Sequence, residues 1–119
     1  TVYATARRID KMNDLRERVI IPVFLDLTNE KSIEDCVQTV LQESGRIDVL
    51  INNAGYGYRS AVEEGENDAV QTLYQTNLFG PVQLIKAVLP KMREQKSGYI
   101  LNVTSIAASR SAVGSGYYA

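Results

Sequence analysis

The nearly continuous apolar run from Val19 to Leu25 is the sequence feature that most limits the possible folds. Such a run is typical of a β-strand covered on both faces, as the strands of parallel sheets are. Further strands are predicted at Thr1–Ala6, Ile47–Ile51 and Gly98–Thr104, with helical apolar spacing between them. Strands that alternate with helices predict an α/β protein with a doubly wound parallel sheet and helices on both faces. Pro22 cannot donate to a ladder, so its strand is expected near a sheet edge.

Two longer helices are predicted from apolar stripes and from the residues at their ends. Thr28 is a suitable N-cap for a helix that runs to about Ser44, and Gly45 is placed to end it. A second, longer helix begins near Asn67. We expect Gly80–Pro81 to bend that helix rather than stop it, because apolar residues resume the stripe beyond them.

The composition excludes several classes of protein. The 119 residues suit one domain, and a hydrophobic share of 45% supports a packed core. A formal net charge of −1 gives no electrostatic basis for binding nucleic acid. No apolar run reaches the roughly 18 residues of a membrane span, and no leader pattern marks export. We therefore expect a cytoplasmic protein.

Histidine is absent from the sequence and there is one cysteine, Cys36. Within these residues a Ser-His-Asp triad is ruled out, and the composition argues against a zinc site, so no metal is expected. Cys36 falls within the predicted helix that follows Thr28. A buried structural thiol is favoured there over a reactive one.

Polar residues follow the predicted strands at the edge where parallel sheets bind ligands, outside the carboxyl ends. These residues are Arg7, Asp26, Asn52, Asn53 and Ser105. Beyond Ser105 the chain reaches two phenols, at Tyr117 and Tyr118. A hydroxyl at a strand end and a phenol in the next element are expected to converge on one reacting group. Asn77 lies on an apolar helix stripe, where an unsatisfied amide would cost ~1–3 kcal/mol, so a specific partner or a backbone partner in the core is expected.

Four short motifs together resemble those of the short-chain dehydrogenase/reductase (SDR) family. They are NNAG at Asn52–Gly55, TNLFG around Asn77, NVTS ending at Ser105 and YYA at Tyr117–Ala119. Each motif alone is weak, and the resemblance is carried by their order and by the elements they fall on. It implies a Rossmann-like sheet that is incomplete here, because the family's Gly-rich turn, first strand and first helix would lie upstream of Thr1. The sheet is then expected to have a slot between the strands at Thr1 and Ile47.

The resemblance also implies catalytic roles. Tyr118 would be the general acid/base, Ser105 would hydrogen-bond the reacting oxygen, and Asn77 would hold a water in the proton relay. Tyr117 is the rival phenol, one position short of the family's spacing, and Tyr118 is favoured. A free phenol titrates near 10, so it needs nearby positive charge to work at neutral pH. The family supplies that charge with a lysine four places after the tyrosine, and the sequence stops at Ala119.

The cofactor site implied by the resemblance lies at the strand ends. Asn53, Ala54 and Gly55 would form a floor beneath the adenosine half of the cofactor, and Asp26 with Leu27 would meet the adenine. Two structural alternatives stay open. The small residues of the NNAG motif would let the sheet edge pack closely, and an isolated aspartate is more often a cap of the following helix.

Cofactor choice is argued from charge. NAD-preferring relatives place an acid at the end of the first strand read here, to bind the ribose 2′-OH. This sequence has Ala6 there, followed by Arg7 and Arg8. Two guanidiniums without the acid suit a 2′-phosphate, which favours NADP(H), although NAD is possible and a solvated basic pair on a turn is the alternative.

The resemblance predicts part of an NADP-dependent oxidoreductase that interconverts an alcohol and a ketone or aldehyde. The 119 residues alone are expected to be inactive. A dehydratase or epimerase on the same scaffold, and a non-catalytic nucleotide-binding or interaction protein, remain alternatives. Tyr56, Tyr58 and Val62 hint at an apolar carbonyl substrate, lipid-like or steroid-like. The long helix resembles the family's oligomer face, so a homo-oligomer is expected of the full-length protein.

Overall fold

The computed structural model describes the backbone of residues 1–119 and all side chains except those of Asn13 and residues 16–18. The strands are β1 (Val2–Ala6), β2 (Ile20–Phe24), β3 (Val49–Asn52) and β4 (Tyr99–Asn102). The α-helices are α1 (Glu30–Ser44), α2 (Asn67–Tyr74) and α3 (Gly80–Gln95). A π-helical turn occupies Gln75–Phe79, and 3₁₀ turns lie at Ile9–Arg18, Val62–Glu64 and Ile106–Ala108. None of the described helices has the length and hydropathy needed to cross a membrane.

The strands form two parallel pairs, β1 with β2 and β3 with β4. In the part of the chain that the structure describes, β1 and β3 are not hydrogen-bonded to each other. Between them lies a cleft of about 590 Å³, lined by residues of both strands and by Val37 of α1 and Val88 of α3. The slot predicted between the strands at Thr1 and Ile47 is this cleft.

Strand β2 carries the proline that predicted an edge position. Pro22 stands opposite Ala4 of β1 in the parallel register. Among the described residues, β2 has no strand on its other side. Because proline has no N–H to donate, the outer side of an edge strand accommodates it without loss of a ladder hydrogen bond.

The N-cap of helix α1 lies one residue later than predicted. Asn29, rather than Thr28, is the N-cap, and its Oδ1 accepts a hydrogen bond of 3.0 Å from the N–H of Ser32. Thr28 is engaged in the preceding turn, where its N–H and its hydroxyl both donate to Asp26 Oδ1. The predicted end is confirmed: Gly45 has φ +70°, which favours glycine, and its N–H donates to Leu41 O.

The long helix continues through Gly80 and Pro81, as predicted, but its hydrogen bonding changes from α-helical to π-helical just before them. The N–H of Gly80 donates to Gln75 O, five residues back, which makes Gln75–Phe79 a π-helical turn. Pro81 falls in the first turn of α3, where its missing N–H costs little. A Cβ at position 80 would lie 2.5 Å from Leu27 O, so only glycine lets α3 approach the chain this closely.

The core lies where α1 and α3 pack against each other and against the strands. Its buried residues come from both helices and from the end of β2: Val23, Leu25, Leu27, Ile33, Cys36, Val37, Leu84, Val88 and Met92. Alternate residues of β3 and β4 face the other way and are at least half exposed, as Ile51 (58%) and Tyr99 (69%) show. In the described residues, the cover of α1 and α3 therefore lies on one face of the strands.

Candidate functional site

The carboxyl ends of the paired strands remain hydrogen-bonded past the last strand residues. The N–H of Leu25 donates to Ala6 O at 3.2 Å, and the N–H of Val103 donates to Asn52 O at 2.9 Å. Asn52 Nδ2 also donates to Asn102 Oδ1 at 2.9 Å. The predicted site residues thus fall into two groups, one past β1 and β2 and one past β3 and β4.

The π-helical turn joins these two groups. At one of its ends, Gly80 packs directly against Leu27, which follows β2. Within it, Asn77 contacts Gly55, which follows β3, and a Cβ at position 55 would lie 3.3 Å from Asn77 Oδ1. The segments that follow β2 and β3 therefore contact the same helical turn, and we call the residues that follow the carboxyl ends of the strands the rim.

Asp26 is a charged group held in a tight turn. Its Oδ1 accepts hydrogen bonds from the N–H (2.9 Å) and the hydroxyl (2.7 Å) of Thr28. These bonds, chiefly that from the Thr28 N–H, lower the pKa of Asp26, and the charge of nearby Arg7 lowers it further. The carboxylate organises the turn that precedes α1, but Asp26 is not the cap of that helix, because Asn29 is. It is ionised, with Arg7 nearby.

The side chains of the two arginines are exposed, whereas that of Leu27 is buried. Arg7 and Arg8 are exposed just past β1, and Arg8 O accepts the N–H of Lys11 as the 3₁₀ turn begins. Leu27 has its side chain in the core, 8% exposed. Sequence reasoning placed Leu27 at the cofactor, and the structure leaves it little beyond its backbone for such a contact.

The side-chain amide of Asn77 is hydrogen-bonded to the backbone of Tyr56. Asn77 Oδ1 accepts the N–H of Tyr56 at 3.1 Å, and Nδ2 donates to Tyr56 O at 2.8 Å. The amide thereby fixes the loop that carries Asn53, Ala54 and Gly55 away from β3. Both polar atoms of the half-buried Asn77 amide are therefore paired with the backbone of this loop.

Ser105 follows β4 and is half-buried. Its Oγ accepts the N–H of Ala107 at 3.1 Å, so it is the N-cap of the 3₁₀ turn Ile106–Ala108. A serine hydroxyl has one donor and two acceptor lone pairs, so this cap uses a lone pair and leaves the O–H to donate. The cap thus orients the hydroxyl at the strand end without consuming its proton.

Tyr117 and Tyr118 have different surroundings. The chain turns helically after Ser115, whose carbonyl accepts the N–H groups of Tyr118 and Ala119. The hydroxyl of Tyr117 donates to Val62 O, and its ring lies edge-on to that of Tyr58 with centroids 6.1 Å apart. Among the described residues, the half-buried Tyr118 forms no side-chain hydrogen bond, so its hydroxyl differs from that of Tyr117 in having no partner there.

Sequence reasoning missed the connection between the loop after β3 and the final segment of the chain. Ser60 N–H donates to Gly114 O at 2.9 Å. In the same final segment, the Tyr117 hydroxyl donates to Val62 O of the loop. Both segments lack helical or strand periodicity, so no pattern in the sequence indicates that they meet. The concentration of tyrosine and glycine in both segments was the available signal.

Comparisons with known proteins show the family to which this chain belongs. A sequence model of the family described as short chain dehydrogenase matches residues 2–119. "Oxidoreductase BOA17" of Botryotinia fuckeliana is 41% identical over 123 residues, covering 99% of this chain and 44% of that protein. 3-Ketodihydrosphingosine reductase of Bacteroides thetaiotaomicron is 38% identical over 117 residues, covering 98% and 42%. A solved metagenomic short-chain oxidoreductase in complex with NADP superposes with a TM-score of 0.92 at 31% identity, over 98% of this chain and 56% of that chain.

The chain therefore belongs to the short-chain dehydrogenase family, and the resemblance seen in its four motifs is confirmed. Its Rossmann-like α/β class is confirmed by the same structural likeness. The chain spans less than half the length of these two curated relatives. The two separate strand pairs are consistent with part of a larger sheet.

Proposed function

We propose that these residues are part of an NADP(H)-dependent oxidoreductase that interconverts an alcohol and a ketone or aldehyde. The observation that carries the proposal is the division of roles between the two phenols: the Tyr117 hydroxyl is bound to Val62 O, whereas the Tyr118 hydroxyl has no hydrogen bond among the described residues. Family membership over residues 2–119 supports the class of reaction. Cytoplasmic location and a homo-oligomer belong to the same proposal.

The rim suits a dinucleotide that carries a 2′-phosphate. Arg7 and Arg8 are exposed past β1, and β1 ends in Ala6 rather than an acid. Guanidiniums bind phosphate oxygens through planar, paired donors, so this pair would hold the 2′-phosphate. Asp26, ionised in its turn with Thr28, would meet the adenine amino group. A structural relative, the metagenomic short-chain oxidoreductase, is in complex with NADP, which supports a dinucleotide of this kind.

The chain's own residues supply the proton chemistry. When bound, the nicotinamide group supplies or accepts the hydride. Reduction of a carbonyl leaves an alkoxide oxygen that needs a proton, and Tyr118 donates it from its hydroxyl. Ser105 donates its O–H to the same oxygen and orients it. The amide oxygen and nitrogen of Asn77 both bond the backbone of Tyr56, and Asn77 contributes by holding that loop at the rim.

We propose an apolar carbonyl compound as substrate. Tyr56 and Val62, in the loop that borders the rim, are 42% and 61% exposed. Exposed apolar side chains beside a polar rim are typical of a ligand-binding surface. The name of one relative, 3-ketodihydrosphingosine reductase, fits the same substrate class.

Tyr118→Phe in the full-length protein that carries these residues tests the proposal. We expect the turnover number to fall by about 10²- to 10⁴-fold, because a positioned general acid contributes that much, while NADPH binding stays intact. Tyr99→Phe, on an exposed strand position, is the matched control. Unchanged turnover in Tyr118→Phe would refute the assignment.

The same assay separates the rival functions. Cofactor absorbance that changes in proportion to substrate supports the oxidoreductase, whereas product without net cofactor change indicates a dehydratase or epimerase. Absence of turnover with intact dinucleotide binding indicates a non-catalytic scaffold. A lysine four places after Tyr118 in the full-length sequence is expected of the enzyme, and an apolar residue there of the scaffold.

A further inference from the structure

The loop between β3 and α2 is fastened to the end of the described chain at several points. Ser60 N–H donates to Gly114 O at 2.9 Å. Within the loop, Tyr58 Oη accepts the N–H of Glu66 at 3.1 Å, directly before α2 begins. The ring of Tyr117 lies edge-on to that of Tyr58, at an interplanar angle of 67°.

The ring of Tyr117 fits into a space that only glycine leaves open. A Cβ at position 65 would lie 2.9 Å from Tyr117 Cζ and 3.0 Å from its hydroxyl oxygen. Gly65 has φ −67°, a conformation that any residue adopts, so the need for glycine comes from the ring alone. The hydroxyl then reaches Val62 O, on the same 3₁₀ turn that Gly65 closes. We call Tyr58, Val62, Gly65 and Tyr117 the tyrosine anchor.

The tyrosine anchor also fixes the orientation of the neighbouring phenol. Tyr117 and Tyr118 lie in one helical turn, in which both Tyr118 N–H and Ala119 N–H point to Ser115 O. Successive residues in such a turn project about 100° apart around the axis. With the ring of Tyr117 held against the loop, the ring of Tyr118 is directed to a different side. The same contact joins Tyr117 to the turn that carries Val62, whose side chain is exposed.

We propose that Tyr117 is a positioning residue: through the tyrosine anchor it sets the loop Gly57–Glu66 against the segment that carries Tyr118, and so shapes the substrate side of the site. It does not carry the proton. The kinetic part of this inference rests on the proposed function, whereas the structural part concerns the loop alone and stands independently of it.

Two substitutions disturb the anchor from opposite sides. Tyr117→Phe keeps the ring and removes the hydroxyl that donates to Val62 O. Gly65→Ala adds a methyl group where the ring lies and displaces it. Gly57→Ala is the matched control in the same loop, because a Cβ there meets nothing within 4 Å. Tyr99→Phe is the control for loss of a phenol at an exposed site.

Amide hydrogen exchange and steady-state kinetics on the full-length protein test the proposal. In both anchor variants we expect the amides of Ser60 and Glu66 to exchange about two- to tenfold faster, the effect of losing one hydrogen bond. We expect KM for the carbonyl substrate to rise by a similar factor, with the pH profile of kcat unchanged. The double variant should change exchange by less than the two single effects combined, since both act on one contact.

Two results would overturn the inference. One is unchanged exchange and unchanged KM in Tyr117→Phe. The other is loss of turnover in Tyr117→Phe with an altered pH profile, which would make Tyr117 the proton donor. Failure of the proposed function gives a different pattern, because Tyr118→Phe would then keep full turnover while the exchange of Ser60 and Glu66 still responds to the anchor variants.

Discussion

Asp26 and Arg7 lie where the ends of β1 and β2 meet, with opposite charges close together. Hydrogen bonds from Thr28 keep the pKa of Asp26 below its ordinary value of 3.8. Because the folded-state pKa is lowered, this carboxylate stabilises the fold above its ordinary pKa, and the contribution is lost as the pH falls through the lowered value. At neutral pH Asp26 is therefore ionised, and the exposed guanidinium of Arg7 lies nearby.

Replacing Arg7 and Arg8 by alanine tests the cofactor choice. We expect the Kd for NADPH to rise about 10- to 100-fold, the loss of hydrogen bonds to a charged group, and the Kd for NADH to change much less. Arg93→Ala, on an exposed position of α3, controls for general loss of positive charge. Equal weakening of the two cofactors, measured by fluorescence titration, would contradict the 2′-phosphate assignment.

Cys36 is 5% exposed, which confirms the predicted buried thiol, and burial raises its pKa to about 11. We therefore expect it to react slowly with thiol reagents at pH 8 in the native protein and rapidly after unfolding. Since the folded pKa is raised, its contribution to stability is present below the ordinary value of 9.0 and is lost as the pH rises towards 11. Chemical unfolding at pH 8, 9.5 and 11 checks this, with Cys36→Ala lacking that pH dependence.

The long helix shows how one element changes direction without ending. Sequence periodicity predicts one stripe through Leu73, Leu84 and Val88. Leu73 is buried, at 2% exposure, but among the described residues it is not part of the core cluster that contains Leu84 and Val88. The π-helical turn between them takes up more residues than an α-helical turn, so α2 and α3 present different faces. Leu78, on the predicted stripe, is 48% exposed for the same reason.

Gly80→Ala tests the contact between this helix and the end of β2. In an open helix the change would stabilise by about 1 kcal/mol. Here the new methyl group would lie 2.5 Å from Leu27 O and 2.7 Å from Leu27 Cβ, so we expect a net loss of about 1–3 kcal/mol, as for overpacked cores. Urea unfolding measures it. Gly57→Ala, in open space, should be near neutral, and an equally small change in Gly80→Ala would contradict the prediction.

The elements were predictable from the sequence where their signals are local. Apolar runs located the ends of the four strands to within two residues, and Gly45 located the end of α1. The N-cap was wrong by one residue because Thr28 and Asn29 are both good caps, and Thr28 is engaged by Asp26 in the preceding turn. The candidate residues were predictable through their motifs, but the partners of Asn77 and Tyr117 were not. Those partners lie in a loop without periodicity, brought near by the fold.

At the scale of the whole molecule, the strands form two separate pairs with a cleft of about 590 Å³ between β1 and β3. The inner edges of these strands therefore present backbone groups that a continuous sheet would pair. The face of β3 and β4 away from α1 and α3 also exposes Val49, Ile51 and Leu101, each to half or more. A set of exposed apolar strand residues of this kind favours association with further protein.

The 119-residue polypeptide by itself is accordingly expected to show little or no oxidation of NADPH with carbonyl substrates. The reason is physical: the site residues are supported by two strand pairs that no hydrogen bonds join in the described structure. A spectrophotometric turnover assay beside the full-length protein checks this. Robust turnover by the 119-residue polypeptide would contradict the prediction.

The π-helical turn also has a consequence for variation in chain length. An α-helix rotates by about 100° for each residue, so deletion of a single residue within Gln75–Phe79 would bring α2 and α3 into phase. Asn77 would then swing away from Tyr56, and the rim would lose the clamp that fixes the loop after β3. Homologues of this chain should therefore tolerate insertions and deletions in the loop Gly57–Glu66 far more readily than in these five positions.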